Sequence, residues 1–163
     1  MLKVGVPLRI YFETTIFNRY FEDDRAYSAE TKQLFNMIAT GDVSAYTSAA
    51  VLEEIDPAAE PKRSQMLNLI NQFGIIVLAV DQTAYDLADV YIETGIIPAR
   101  FRLDGVHIAM AAIHELDCIV SLNFRHINKL KTKTATEIVH RLKGYDNPFI
   151  CTPMEVIGSE SRL

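Results

Sequence analysis

Three carboxylates and one carboxamide stand at places where a folded chain can gather them. Glu13 directly follows the apolar run Leu8–Phe12. Glu54 falls in the second turn of a helical stretch that begins after Tyr46-Thr47-Ser48. Asp104 opens the helical stretch Asp104–Glu115, and Asn123 comes just after the run Cys118–Ser121. Three carboxylates with neither cysteine nor a histidine cluster favour a hard cation, Mg²⁺ or Mn²⁺. Such an ion activates water and clamps both oxygens in phosphodiester cleavage. Each residue also has a plain structural reading. Glu13 serves as an ordinary strand-end polar residue, Glu53-Glu54 as a solvated helix turn, and Asp104 as a helix N-cap.

The elements that must position these groups follow from hydrophobic patterning. Apolar runs at Leu8–Phe12, Ala45–Thr47, Ile75–Val80, Cys118–Ser121 and Phe149–Cys151 predict five strands. The first, third and fourth are continuous rather than alternating, as expected of strands covered on both faces. Between them, Ser28–Thr40, Pro61–Phe73, Gln82–Thr94 and Thr132–Leu142 carry apolar residues at helical spacing. Asp81 and Thr132 are candidate N-caps. Strands alternating with helices imply a three-layer α/β/α domain around a parallel sheet. Ligands of such sheets bind outside the carboxyl ends of the strands. Glu13, Glu54 and Asn123 fall at that edge. Asp104 joins them, because a helix leading into a parallel strand starts at the same edge. Asp117 precedes its strand and belongs at the opposite edge. His107, three residues after Asp104, shares its helix face. It is a candidate to hydrogen-bond a metal carboxylate, or else a packed core histidine. His126 stands three residues after Asn123 and has a similar prospect; His114 and His140 read as ordinary helix residues.

The chain has 163 residues, 49% apolar and 23% charged, which suits one globular domain over 1–163. Seven glycines and six prolines exclude collagen-like and low-complexity classes. The end of the chain, 154–163, is expected to fray. Cys118 and Cys151 lie in apolar runs without metal-ligand spacing and read as buried thiols of a cytoplasmic protein. The stretch Met1–Leu8 makes a poor signal peptide, and Gly74–Val80 is too short to span a bilayer, so no membrane association is expected. A net charge of −5 argues against non-specific, whole-surface nucleic-acid binding. The charge is uneven, however. Segment 125–143 holds six basic residues and one acid, a balance of +5, so the remainder carries −10. That segment is either a solvated helix-and-loop face or a track for an RNA backbone through Arg125, Lys129, Lys131 and Lys133.

Four segments resemble the motifs of PIN domains. Arg9-Ile10-Tyr11-Phe12-Glu13-Thr14-Thr15-Ile16-Phe17-Asn18 resembles the opening strand that ends in an acidic residue followed by Thr or Ser. Thr47-Ser48-Ala49-Ala50-Val51-Leu52-Glu53-Glu54-Ile55 is similar to the second motif, whose metal-binding Glu matches Glu54. Asp104-Gly105-Val106-His107-Ile108-Ala109 looks like the third. Asp117-Cys118-Ile119-Val120-Ser121-Leu122-Asn123-Phe124-Arg125-His126-Ile127 is similar to the fourth, with Asn123 in the last metal-site slot. The motifs fall within 8–128, in the family's order.

The resemblance implies a Mg²⁺- or Mn²⁺-dependent ribonuclease of VapC type, with sheet order 3-2-1-4-5. It also implies a small antitoxin as partner and dimerisation. Glu13, Glu54 and Asp104 would hold the metal, with Asn123 as an oxygen ligand or a partner for bound water. Thr14 or Thr15 would hydrogen-bond a carboxylate or the scissile phosphate. Two positions depart from the family pattern: Glu13 replaces the usual Asp, and Asn123 is neutral. They motivate an alternative, a non-catalytic PIN-like module that binds RNA or protein. Receiver-like and flavin-binding α/β domains fit poorly: Glu13 lacks an acidic neighbour, no Lys follows Cys151, and Thr14–Asn18 holds no glycine.

Overall fold

The computed structural model describes residues 5–160. Residues 1–4, part of the segment read above as a poor signal peptide, and 161–163, the end of the expected frayed tail, lie outside the described residues. Five parallel strands form one sheet: β1 (Leu8–Phe12), β2 (Val43–Ser48), β3 (Ile76–Leu78), β4 (Cys118–Val120) and β5 (Phe149–Cys151). Their order is β3-β2-β1-β4-β5. Ile10 lies opposite Ala45 of β2 and Cys118 of β4, which places β1 at the centre. The order turns back between β1 and β4, and a crevice at such a reversal is where parallel sheets take ligands.

Helices flank the sheet: α1 (Thr14–Arg19), α2 (Ser28–Ala39), α3 (Ala49–Ile55), α4 (Lys62–Gln72), α5 (Gln82–Glu93), α6 (Arg102–Ile113), α7 (Leu130–Lys143) and α8 (Pro153–Glu160). Successive β1 side chains point to opposite faces. Phe12 packs edge-on against Phe35 of α2, with ring centroids 5.3 Å apart, and lies near Phe17 of α1. Phe35 continues to Phe73, 5.0 Å away. Tyr11 points the other way, toward His107 of α6. On that side α5 and α6 pack closely because position 105 is glycine. A Cβ there would sit 3.3 Å from the Cβ of Ala88, so Ala88 would have to give by a few tenths of an ångström.

Several sequence expectations change. The run Ile75–Val80 shortens to a three-residue edge strand whose Ile76 and Val77 are 51% and 40% exposed, so it is not covered on both faces. Thr132 does not cap α7, which begins at Leu130. Its buried hydroxyl instead donates to the His126 carbonyl at 2.7 Å. Asp104 is not an N-cap but the third residue of α6, still in its first turn. The tail does not fray from 154: α8 covers Pro153–Glu160, packs on α2 and buries Val156. Thr152 and Glu155 satisfy each other's backbone amides at 3.2 and 3.1 Å, a reciprocal cap that fixes the helix start. Asp81 does cap its helix, accepting from the Ala84 amide at 3.1 Å. Asp117 accepts from the Arg9 amide at 2.8 Å, at the edge away from the site. Both cysteines are free thiols. Among the described residues no helix is long and apolar enough to cross a membrane.

Candidate active site

The chain leaves β1 at Glu13, which caps α1 with its own carboxylate: Oε2 accepts from the Thr15 amide at 2.6 Å. The other oxygen, Oε1, accepts from the Thr15 hydroxyl at 3.1 Å and from the Ser121 hydroxyl at 2.7 Å. Ser121 follows β4, so this last bond spans the crevice between β1 and β4. The Thr15 hydroxyl also accepts from the Leu122 amide at 2.8 Å, tying the two strand ends together a second time. Glu13 is buried, and burial is the main cause that raises its carboxyl above the ordinary range. The nearby His107 and the donors Thr15 and Ser121 pull it down, but not enough to compensate.

Glu54 comes from α3, whose start is fixed by Ser48. That hydroxyl accepts from the Ala50 amide at 3.2 Å. One Glu54 oxygen, Oε1, is hydrogen-bonded by the Thr14 hydroxyl at 3.0 Å and by Nε2 of His107. Burial pushes the Glu54 carboxyl up, but the hydrogen bond and charge of His107 outweigh it, and the net direction is down. His107 responds in kind. Burial lowers it, while Glu54, Glu13 and Asp104 raise it, and the net direction is up. Glu54 and His107 therefore each favour the charged form of the other. The other ring nitrogen of His107 bonds the Tyr11 hydroxyl at 2.7 Å, which reaches Ser48 at 2.7 Å. A buried relay thus runs from Glu54 through His107 and Tyr11 to the cap of the helix that carries Glu54.

Asp104 is buried in the first turn of α6, and its Oδ2 lies 2.8 Å from Nδ1 of His126. Asn123 turns inward on its own loop: Oδ1 accepts from the His126 amide at 3.0 Å, and its carbonyl accepts from the Ile127 and Asn128 amides. Thr14, Thr15, His107 and His126 each touch one of the three carboxylates. Arg125, Lys129, Lys131 and Lys133 stand on the turn after Asn123 and the first turn of α7. None of the four makes an ion pair among the described residues.

Among the described residues no three His, Cys, Asp or Glu side chains stand close enough to hold a metal ion. Glu13, Glu54 and Asp104 share an edge, yet each is turned onto a neighbour from the protein itself. The donor chemistry still suits a hard cation. Glu54 Oε2 and Asp104 Oδ1 accept no hydrogen bond from the protein among the described residues, so each side chain keeps one oxygen for an outside ligand. Sequence reasoning missed Ser121, Tyr11 and Ser48. Tyr11 had a signal, since it lies two residues before Glu13 and shares its face of the pleat. Ser121 had none beyond its place at a strand end.

This architecture has solved counterparts. A chain from a toxin–antitoxin complex of Klebsiella pneumoniae superposes with a TM-score of 0.54 at 16% identity, over 74% of this chain and 92% of that one. One from VapBC2 of Rickettsia felis, bound to a DNA fragment from their promoter, gives 0.53 at 12%, over 89% and 98%. One from DNA-bound VapBC of Salmonella typhimurium gives 0.52 at 12%, over 90% and 98%. The fold is PIN-like. In the PIN-like frame the β1–β4 crevice and its carboxylates form the carboxyl edge of the central strands. At these identities the likeness carries the fold alone. No protein-family model matches the sequence, and no curated protein matches it.

Proposed function

We propose that the chain is a PIN-type endoribonuclease and the toxin of a toxin–antitoxin pair. It cuts RNA phosphodiester bonds with Mg²⁺ or Mn²⁺. The observation that supports this reading is that Glu13, Glu54 and Asp104 all lie near His107 at the carboxyl edge of a PIN-like sheet, with Asn123 on the turn after β4. Glu13, Glu54 and Asp104 would hold the ion, which supplies positive charge and a bound water of lowered pKa. The protein's own groups do the rest. Thr14 and His107 fix the Glu54 carboxylate, Thr15 and Ser121 fix Glu13, and His126 fixes Asp104. Asn123 keeps its amide nitrogen available to a phosphate oxygen. Arg125, Lys129, Lys131 and Lys133 carry the RNA backbone past the acidic edge. A small antitoxin partner belongs to the same reading, which the toxin–antitoxin and VapBC neighbours support; homodimer assembly and a cytoplasmic location are further parts of the proposal.

The test is cleavage. Purified protein with Mn²⁺ is expected to cut single-stranded RNA, and Asp104→Asn to reduce cutting by at least a hundredfold. Equal cutting by the variant identifies a contaminating nuclease and overturns the assignment. One observation favours a second reading, a non-catalytic PIN-like binding module: each carboxylate is already paired within the protein, two of them with histidines. That reading predicts RNA or protein binding with no metal-dependent cleavage.

A further inference from the structure

Beside the carboxylates stand three rings and Arg100, which the proposed chemistry does not use, together with Arg125, which it sets on the RNA backbone. Phe124 directly follows Asn123 and is 47% exposed. Its ring centroid lies 5.9 Å from that of Tyr27, at an interplanar angle of 40°. Tyr27 precedes α2 with φ at 68°, a left-handed conformation that costs a non-glycine residue about 1 kcal/mol or more. Tyr27 adopts it at the N-cap of α2, where its ring lies against Phe124. Phe101, half-buried just before α6, lies 4.2 Å from the ring of His126, the histidine that holds Asp104. The guanidinium carbons of Arg100 and Arg125 stand 5.0 and 6.0 Å from the Phe101 ring centroid. Both arginines are exposed, and neither meets a carboxylate among the described residues. Arg102 behaves differently: it spends two hydrogen bonds, of 2.8 and 2.9 Å, on Asp89.

We propose that Phe124 with Tyr27, and Phe101 with Arg100 and Arg125, form a stacking subsite for unpaired nucleobases of RNA beside the Asp104–His126 pair. The proposal rests on the nuclease reading above and names what that site selects. Aromatic faces next to unpaired guanidiniums suit a single strand, because every base offers a π-face and every nucleotide a phosphate. In a duplex the bases are stacked on one another and cannot reach the rings. Arg125 follows Phe124 in the chain and lies over Phe101 in space, which ties the turn that bears one platform to the ring of the other. The subsite therefore positions the bases beside the phosphate at which the cation held by the carboxylates would act.

The test uses the full chain in EDTA, which withholds the metal that cleavage needs, and two 2′-O-methyl oligonucleotides, one carrying bases with a 2-aminopurine and one abasic at the same positions. Wild-type protein is expected to bind the base-bearing strand at least tenfold more tightly and to quench 2-aminopurine fluorescence. Phe124→Ala, at an exposed position, is expected to weaken that strand about 5- to 100-fold and to leave the abasic strand unchanged. Phe101→Leu, which keeps apolar bulk, is expected to do the same to a lesser degree. Equal affinity for both strands, or variants that lose both strands alike, overturns the subsite. So does a variant that loses a protein partner while oligonucleotide affinity stays unchanged. The two readings fail separately. Quenching without any Mn²⁺-dependent cleavage sinks the nuclease and leaves the subsite. Cleavage that ignores Phe124→Ala, together with equal binding of the two strands, sinks the subsite alone.

Discussion

Glu13 and Glu54 share one edge of the sheet and are shifted in opposite directions. Burial raises Glu13, while His107 brings Glu54 down. For Glu13 the native state holds its proton more tightly than the unfolded chain does. Stability therefore falls as pH rises from the ordinary carboxylate range through the raised value. Glu13→Gln removes that penalty, and its amide can still serve Thr15 and Ser121. Thermal denaturation in chelator is expected to show the variant as stable as wild type or more so at neutral pH, by roughly 1 kcal/mol, with a flatter pH dependence and no nuclease activity. A loss of several degrees in melting temperature at neutral pH contradicts this account of Glu13. Placing Glu13, Asp104 and Asn123 needed only strand ends and helix direction. Ser121 was harder to see, because it lies 108 residues from Glu13, and His126 was a candidate whose carboxylate, Asp104, lies 22 residues away. Contacts that depend on tertiary closure leave no spacing in the sequence.

At the scale of elements, α7 shows the same limit. His140 reads as an ordinary helix residue, yet it is fully buried and links three segments. Its Nε2 meets the Tyr91 hydroxyl of α5 at 2.5 Å, and its Nδ1 meets Asn147 before β5 at 2.7 Å. Burial lowers its pKa, only partly opposed by Asn147 and Glu137. The unfolded chain then binds the proton more readily than the native state. Stability from this group is present above the ordinary histidine range and is lost as pH falls through it toward the lowered value. His140→Phe is expected to cost about 2 kcal/mol at slightly alkaline pH, by leaving Tyr91 and Asn147 unpaired, and to flatten the acid limb of the stability curve. Chemical denaturation at several pH values measures both; an unchanged acid limb rules out this role. The helix α8 was legible after all. Thr152-Pro153-Met154-Glu155 carries a capping box with proline in the first turn. Composition near the chain end pointed to fraying, but the cap and the packing of Val156 decide the outcome. The exposed face of β3 was not legible in its apolar run, although the implied order 3-2-1-4-5 already set that strand at the edge.

For the whole molecule, the uneven charge and the sheet reversal describe one surface. The basic segment begins at Arg125, on the turn that carries His126 to Asp104, and continues into α7 through the bond from Thr132 to the His126 carbonyl. An acidic chain can thus present cations beside its carboxylates. Alternating strands and helices established the layered sheet from the sequence. Its order was implied by four weak motifs in register and is the order found. The sequence offered Thr14, Thr15, His107 and His126 as partners for carboxylates but not which carboxylate each would take; the histidines stand on Glu54 and Asp104. A cation must therefore compete with the protein's own hydrogen bonds for this edge. Calorimetric titration of Mn²⁺ into the purified chain measures that competition directly. The account predicts saturable binding below millimolar concentration, weakened tenfold or more by Glu54→Gln and by Asp104→Asn. No binding at millimolar Mn²⁺, or binding that both substitutions leave unchanged, would contradict it.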